Sequence, residues 1–196
     1  AAGQWAAVRS WTWTGLLIIA CVGAPLTFAV HQVSPWLARS LSEGPLFAAL
    51  MQTMALAIAP YAIIRFSAGA FRGARRFALA DGLDSGVVSA GLAVSILVLD
   101  LQRLGDIANA YIAISAFAAA AGFAGWIASL RGQPGGTDPL APREALIRSL
   151  PLAGTVLATL ASPWIVTLFL AKFATITEVG VYRVALQFAL LLGFLL

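Results

Sequence analysis

The chain has 196 residues, of which 61% are hydrophobic and only 10% are charged, and its mean hydropathy is +0.92. Soluble domains carry about 25% charged residues, so this composition excludes a water-covered globular fold and predicts an all-α membrane protein. The net charge of +4 comes from bases at the ends of apolar runs, which favours membrane orientation over nucleic-acid binding.

Six stretches satisfy the requirement of a membrane-spanning helix, about 20 mostly apolar residues. In chain order they are Trp13–Val30, Leu46–Ala68, Gly86–Leu101, Ala108–Leu130, Leu150–Ala171 and Val179–Leu196. The third is short, and we expect the sixth to be truncated. The fold class is therefore predicted to be a polytopic helical membrane protein of about six spans, cut from a longer chain.

The connections between these spans alternate in their content of bases. One side is predicted to hold seven: Arg9, Arg72, Arg75, Arg76, Arg131, Arg143 and Arg148. The other side holds three: Arg39, Arg103 and Lys172. Because cytoplasmic loops carry the excess of Lys and Arg, the first side is predicted to be cytoplasmic.

A Gly- and Pro-rich stretch divides the spans into two groups. Residues 1–130 are predicted to form four spans, 131–149 a cytoplasmic linker and 150–196 two further spans.

Two segments carry a resemblance to a known family. The pattern Glu178-Val179-Gly180-x-Tyr182-x-x-Ala185, after a Pro-led apolar helix, resembles the start of the second half of bacterial polysaccharide flippases of the multidrug/oligosaccharidyl-lipid/polysaccharide exporter superfamily. The segment around Arg72-Gly73 resembles the cytoplasmic end of that family's fourth helix.

The resemblance implies a specific architecture and role. The six spans would be helices three to eight of a two-lobed transporter of twelve to fourteen helices in the bacterial inner membrane. The parent would move a lipid-linked oligosaccharide or polysaccharide precursor by alternating access. Its partners would be membrane lipids and a lipid-linked glycan pyrophosphate, with a coupling cation as a further candidate.

Arg183 and Gln187 lie four residues apart in the last span, and hence on one helical face. An intramembrane Arg normally faces a cavity or a partner, and its planar fork suits phosphate oxygens. Both residues are therefore candidate substrate-binding residues. The alternative is that Arg183 reaches outward to the lipid headgroups.

Three further candidates come from other spans. Arg65 is predicted to begin a stripe with Arg72 and Arg76 that meets the substrate's anionic head, unless these bases only fix topology. Thr155 and Thr159 form a polar face before Pro163, which suits either a cavity lining or helix packing.

Other functions are less consistent with the sequence. A multidrug/cation antiporter of the same superfamily should place acids in its cavity, and the sequence predicts none at mid-span. A polysaccharide polymerase or ligase should have a large outer loop, whereas the longest predicted one has about fifteen residues. Without a nucleotide-binding, zinc-protease or serine-hydrolase motif, we predict no enzyme activity, no cofactor and no metal site.

Overall fold

The computed structural model describes residues 2–40, 44–131, 147, 165–167, 169, 170 and 173–195. Its helices are α1 (Ala2–Ser40), α2 (Pro45–Ala55), α3 (Ile58–Gly73), α4 (Phe77–Asp81), a π-helical turn (Gly82–Gly86), α5 (Val87–Leu99), α6 (Leu104–Leu130) and α7 (Ile176–Leu195). No strand occurs in these ranges, so the all-α prediction is confirmed there. The chain divides into two compact units, Ala1–Pro139 and Leu140–Leu196.

Three helical segments of the described chain are long and apolar enough to cross a membrane: Val8–Ser40, Phe77–Leu99 and Leu104–Leu130. The bent pair α2–α3 makes a fourth if it is one span. The surface of α5 agrees with this, since α5 has no buried residue and Leu97 and Val98 are 82% and 74% exposed. A helix that is apolar all round and not buried by its own chain is typical of a membrane span.

In the first unit, α1, α2–α3, α4–α5 and α6 alternate in direction. Gly15 of α1 meets Phe66 of α3, and Gly91 of α5 meets Ile114 of α6. Thr12, near the start of α1, meets Trp126 near the end of α6. The ends that carry Arg9, Arg72 and Arg131 therefore lie at one end of this four-segment bundle, as the count of bases requires.

The core of the first unit lies between α3 and α6. Its apolar members include Ile64, Ala68 and Phe71 of α3 and Ala118, Ala119, Trp126 and Leu130 of α6. The rings of Phe71 and Trp126 meet edge to face with centroids 5.7 Å apart. Small residues on α6 let α3 approach closely, which is how helices pack in membranes.

A polar link joins the beginning of α1 to the end of α6. Trp126 Nε1 donates to Thr12 Oγ1 at 3.0 Å, and Thr12 Oγ1 donates to the carbonyl of Val8 at 2.9 Å. Both side chains are almost fully buried. Arg9 Nη2 donates to the carbonyl of Leu130 at 3.2 Å, so a cation lies at the negative end of α6.

The first span was predicted to end at Val30, and this boundary is wrong: α1 continues to Ser40 through Pro35. Proline lacks an N–H, so it leaves the carbonyl four residues earlier, that of His31, without its helical donor. Gln52 Nε2 of α2 donates to this carbonyl at 3.2 Å. A neighbouring helix thus supplies the bond that Pro35 cannot make.

The second predicted span, Leu46–Ala68, is not one straight helix. It breaks after Ala55 and bends by 41° into α3. Pro60 lies in the first turn of α3 and cannot donate to the carbonyl of Leu56. Leu56 and Ala57 instead donate to carbonyls three residues back, at 3.1 and 3.0 Å. This tightened turn is the usual origin of a proline kink.

The third predicted span, Gly86–Leu101, begins too late. The helical segment starts at Phe77 and includes Asp81 and the π-helical turn with Asp84. Two acids therefore lie within this candidate span, in its first part, whereas the prediction concerned acids at mid-span. Charged residues look like a loop in a sequence, but here they are paired with arginines of α3.

The predicted stripe of Arg65, Arg72 and Arg76 is also incorrect at its last member. α3 ends at Gly73, and Arg75 has a left-handed φ of 60°. Arg75 N–H donates to the carbonyl of Arg72 and Arg76 N–H to that of Phe71, both at 2.9 Å. This pair of bonds is a Schellman C-terminal motif with arginine in the position that glycine prefers. Arg76 therefore belongs to the next helix's start.

In the second unit, α7 covers most of the sixth predicted span. It begins with a capping box: Glu178 accepts hydrogen bonds from the Thr175 N–H at 2.8 Å and hydroxyl at 2.9 Å, while Glu178 N–H donates weakly to Thr175 Oγ1 at 3.4 Å. Most of the fifth predicted span and of the linker lies outside the described residues.

Candidate functional site

Four charged side chains meet where α3 packs against the π-helical turn. We call Arg65, Arg72, Asp81 and Asp84 the charge cluster. Arg65 and Arg72 lie two turns apart on one face of α3, so both can reach the same stretch of the following helix. These four residues form all the ion pairs found in the described part of the chain.

Asp84 is the centre of the charge cluster. Its Oδ2 accepts hydrogen bonds from Arg65 Nη1 at 3.0 Å and from Arg72 Nη2 at 2.7 Å. Its Oδ1 lies 2.9 Å from Arg65 Nη1 but outside hydrogen-bonding geometry, and this buried atom accepts no hydrogen bond from the described residues. Only 8% of the Asp84 side chain is exposed. One buried carboxylate is therefore shared by two guanidinium groups.

Tyr61 orients Arg65. The Tyr61 hydroxyl accepts hydrogen bonds from Arg65 Nε at 3.1 Å and Nη2 at 2.9 Å, and the guanidinium carbon lies 5.3 Å from the ring centroid. Three of the five N–H donors of Arg65 are thus used, one by Asp84 and two by Tyr61. Two donors remain for a ligand.

Arg72 has a second carboxylate partner. Its Nε and Nη2 donate to Asp81 Oδ1 at 3.2 and 2.9 Å. Asp81 is 64% exposed, so this bond lies at the surface and contributes little. With two arginines and two aspartates the charge cluster is neutral, while the arginine side chains remain 47% and 42% exposed.

The depth of Arg65 sets it apart from the other bases of its helix. Arg72 lies in the last turn of α3, at the end of the bundle, whereas Arg65 lies seven residues earlier. At 1.5 Å per residue this is roughly 10 Å further into the bundle. A charge at such a depth is costly in hydrocarbon unless a partner neutralises it. Asp84 is that partner.

The other predicted site residues cannot be joined to this geometry. Arg183 and Gln187 lie on α7, but their side chains are outside the described part of the structure. Thr155 and Thr159 lie outside the described residues altogether. Their substrate-binding role stays a prediction.

Sequence reasoning missed Tyr61, Asp81 and Asp84. A signal for the two acids was present, because their spacing of three residues places them on one helical face, as the spacing of seven places Arg65 and Arg72. Two such complementary faces joined by a short turn predict an antiparallel ion-pair contact. Tyr61 lies one turn before Arg65, where it can pair with it.

The charge cluster has donors that could bind an anion. Two oriented, half-exposed guanidinium groups with free donors suit the oxygens of a phosphate group. Among the described residues, no group of three His, Cys, Asp or Glu side chains could hold a metal ion. In comparisons with family models, curated proteins and solved structures, no significant match to this chain is found.

Proposed function

We propose that this chain is part of a transporter of the bacterial inner membrane that moves a lipid-linked oligosaccharide precursor between leaflets by alternating access. The observation that carries the proposal is the charge cluster: Arg65, deep in a membrane-type bundle, keeps two donors free while Asp84 neutralises it. The pattern around Tyr182 and the order of the predicted spans add support through their resemblance to polysaccharide flippases.

The polar head of such a substrate explains why two arginines lie near one another. A pyrophosphate group offers several anionic oxygens, and the guanidinium groups of Arg65 and Arg72 lie close enough together to donate to the same oxygen of Asp84. Entry from the cytoplasmic leaflet would meet Arg72 first and Arg65 second. The motif residue Glu178 adds less, because it caps α7 and so has a structural role.

A cation antiporter of the same superfamily remains the second candidate, because Asp84 is an acid within a candidate span. Its carboxylate, however, already accepts hydrogen bonds from two guanidinium groups. A carboxylate in that setting attracts an external cation weakly, since the nearby positive charges oppose it. The charge cluster therefore favours an anionic substrate.

The substrate's charge separates the two candidates experimentally. The full-length protein of which this chain is proposed to be a part is reconstituted in liposomes that contain either a fluorescent polyprenyl-pyrophosphate sugar or a neutral polyprenyl sugar of equal length. Protection of the label from an external quencher then reports transfer between leaflets. We expect transfer of the pyrophosphate lipid only. No transfer beyond that of protein-free liposomes would contradict the flippase, and proton-driven export of an organic cation would establish the antiporter.

The same assay tests the α7 residues. If Arg183 and Gln187 line the substrate path, Arg183→Ala lowers the rate of transfer. An unchanged rate would remove Arg183 from the path and assign it to the headgroup region.

A further inference from the structure

We infer that Asp84 is a resident anion, which occupies Arg65 and Arg72 in place of a ligand, and that its release lets the π-helical turn Gly82–Gly86 relax to an α-helix. This inference rests on the proposed function in one respect: it describes how the phosphate of the substrate replaces Asp84 at the two arginines, and is replaced by it again, during transport. It assigns to Asp84 a regulatory role in the same site.

The position of Asp84 supports the first part of the inference, that Asp84 occupies the two arginines in place of a ligand. It lies behind the two arginines with 8% of its side chain exposed, whereas their guanidinium groups are reachable from outside. An incoming phosphate therefore meets the arginines first and competes with Asp84 for the same N–H donors. Phosphate forms the same kind of charge-assisted bonds with arginine as a carboxylate does. Because an unpaired buried carboxylate is costly, the released Asp84 has to become solvated or protonated, which requires the turn that carries it to move.

The backbone around Asp84 supports the second part of the inference, that the π-helical turn relaxes when Asp84 is released. A π-helical turn is a rare element that occurs as a single turn inside an α-helix, often at a functional site. This one reads Gly-Leu-Asp-Ser-Gly and lies between α4 and α5. No neighbouring atom lies within 4 Å of where a Cβ would stand on Gly82 or Gly86, so packing at the two glycines does not enforce it.

The hydrogen bonds between Asp84 and α3 can stabilise the π-helical turn, which packing at its two glycines does not. They connect the centre of the π-helical turn to two points of a packed helix, and Leu83 beside it is buried against Gly122 of α6. Loss of these bonds removes the restraint on Asp84. When the π-helical turn returns to α-helical geometry, the residues after the turn shift by one position relative to the residues before it. This shift would move α5 against α6.

Aspartate-to-asparagine substitution tests both halves on the full chain in lipid nanodiscs. Asp84→Asn removes the resident charge, and inorganic pyrophosphate serves as the probe. We expect pyrophosphate to bind about tenfold more tightly to D84N than to the unchanged chain, because the competing state is depopulated. Asp106→Asn is the matched control, since it removes one exposed aspartate charge outside the charge cluster. Its effect should stay within about twofold.

Backbone amide resonances of Gly82 and Gly86 report the turn. In D84N they should move to the positions that they take in the unchanged chain at saturating pyrophosphate. If D84N does not fold, the titration of the unchanged chain decides alone. Equal pyrophosphate affinity in D84N and D106N, or glycine resonances that do not move, would overturn the inference. Since neither measurement requires transfer of lipid, a failed flippase assay and a failed inference are distinguishable.

Anionic lipid is the other source of phosphate. Nanodiscs of phosphatidylcholine and of phosphatidylglycerol separate the two. If the headgroups of phosphatidylglycerol are the ligand, the unchanged chain in that lipid already shows the moved glycine resonances, and added pyrophosphate has no further effect. This result supports the exchange and assigns the headgroup as the ligand. Unmoved resonances in both lipids and with pyrophosphate overturn it.

Discussion

The side-chain amide of Gln52 donates a hydrogen bond of 3.2 Å to the carbonyl of His31, which Pro35 leaves without its helical donor. This bond connects α2 to the proline-containing half of α1. Gln52→Leu keeps the side-chain size and removes the donor. We expect a loss of about 0.5–1.5 kcal/mol in the free energy of unfolding, measured by denaturant unfolding in detergent. Gln102→Leu, at the surface, should change it little; equal effects would contradict the role of Gln52.

Gly122 is closely packed and Gly69 is not, so substitution by alanine should be destabilising at Gly122 and harmless at Gly69. A Cβ on Gly122 would lie 2.6 Å from Leu83 Cδ2, whereas Gly69 in α3 has nothing within 4 Å of that position. Gly122→Ala should destabilise the bundle by about 1–3 kcal/mol, and Gly69→Ala should not. Thermal unfolding measures both. Leu83→Ala should restore part of the loss in G122A, and absence of any rescue would exclude this contact as the cause.

The left-handed backbone of Arg75 predicts a gain from glycine. Arg75→Gly and Arg75→Ala both remove the charge, but only glycine adopts a φ of 60° without a steric cost. R75G should therefore be more stable than R75A by about 1 kcal/mol. Urea unfolding of the two variants in the same detergent measures the difference. If R75A is the more stable of the two, the Schellman motif at this position is wrong.

The capping box of α7 predicts a pH dependence. The backbone N–H and then the hydroxyl of Thr175 lower the pKa of Glu178 from its ordinary value of 4.5. Because the folded pKa is depressed, the stabilisation of the helix start is present above pH 4.5 and is lost as the pH falls through the folded pKa.

The NMR chemical shift of the side-chain carboxyl carbon of Glu178, followed against pH, measures this pKa. Thr175→Val removes the hydroxyl but keeps the backbone N–H, so it should raise the pKa of Glu178 only part of the way. Titration of Glu178 at or above 4.5 in the unchanged chain would contradict the cap.

The sequence predicted what depends on hydrocarbon and missed what depends on distant partners. The apolar runs behind α1 and α6 are visible in composition because the bilayer imposes their length. Pro35 looked like a loop because its compensating partner, Gln52, is seventeen residues away. Asp84 looked like part of a connection because its neutralising arginines lie on another helix.

One local signal in the sequence, at the start of α7, has a structural meaning that differs from the one predicted. Thr175-Ile176-Thr177-Glu178 has the spacing of a capping box, but Glu178 was assigned to a family pattern. Of the charge cluster, the sequence analysis named Arg65 and Arg72 but not their partners, since an arginine at depth requires a partner without specifying which one. The π-helical turn has no sequence signature that periodicity could detect.

The transfer of a fluorescent polyprenyl-pyrophosphate sugar by Arg65→Gln tests the central claim most directly. Arg39→Gln is its control, because Arg39 is exposed and, among the described residues, bonds to the carbonyl of Pro35 within its own helix. We predict that R65Q lowers the initial rate at least about tenfold, the loss expected when a charged bond to phosphate is removed, while R39Q keeps the rate of the unchanged chain. Equal rates for R65Q, R39Q and the unchanged chain would contradict the account.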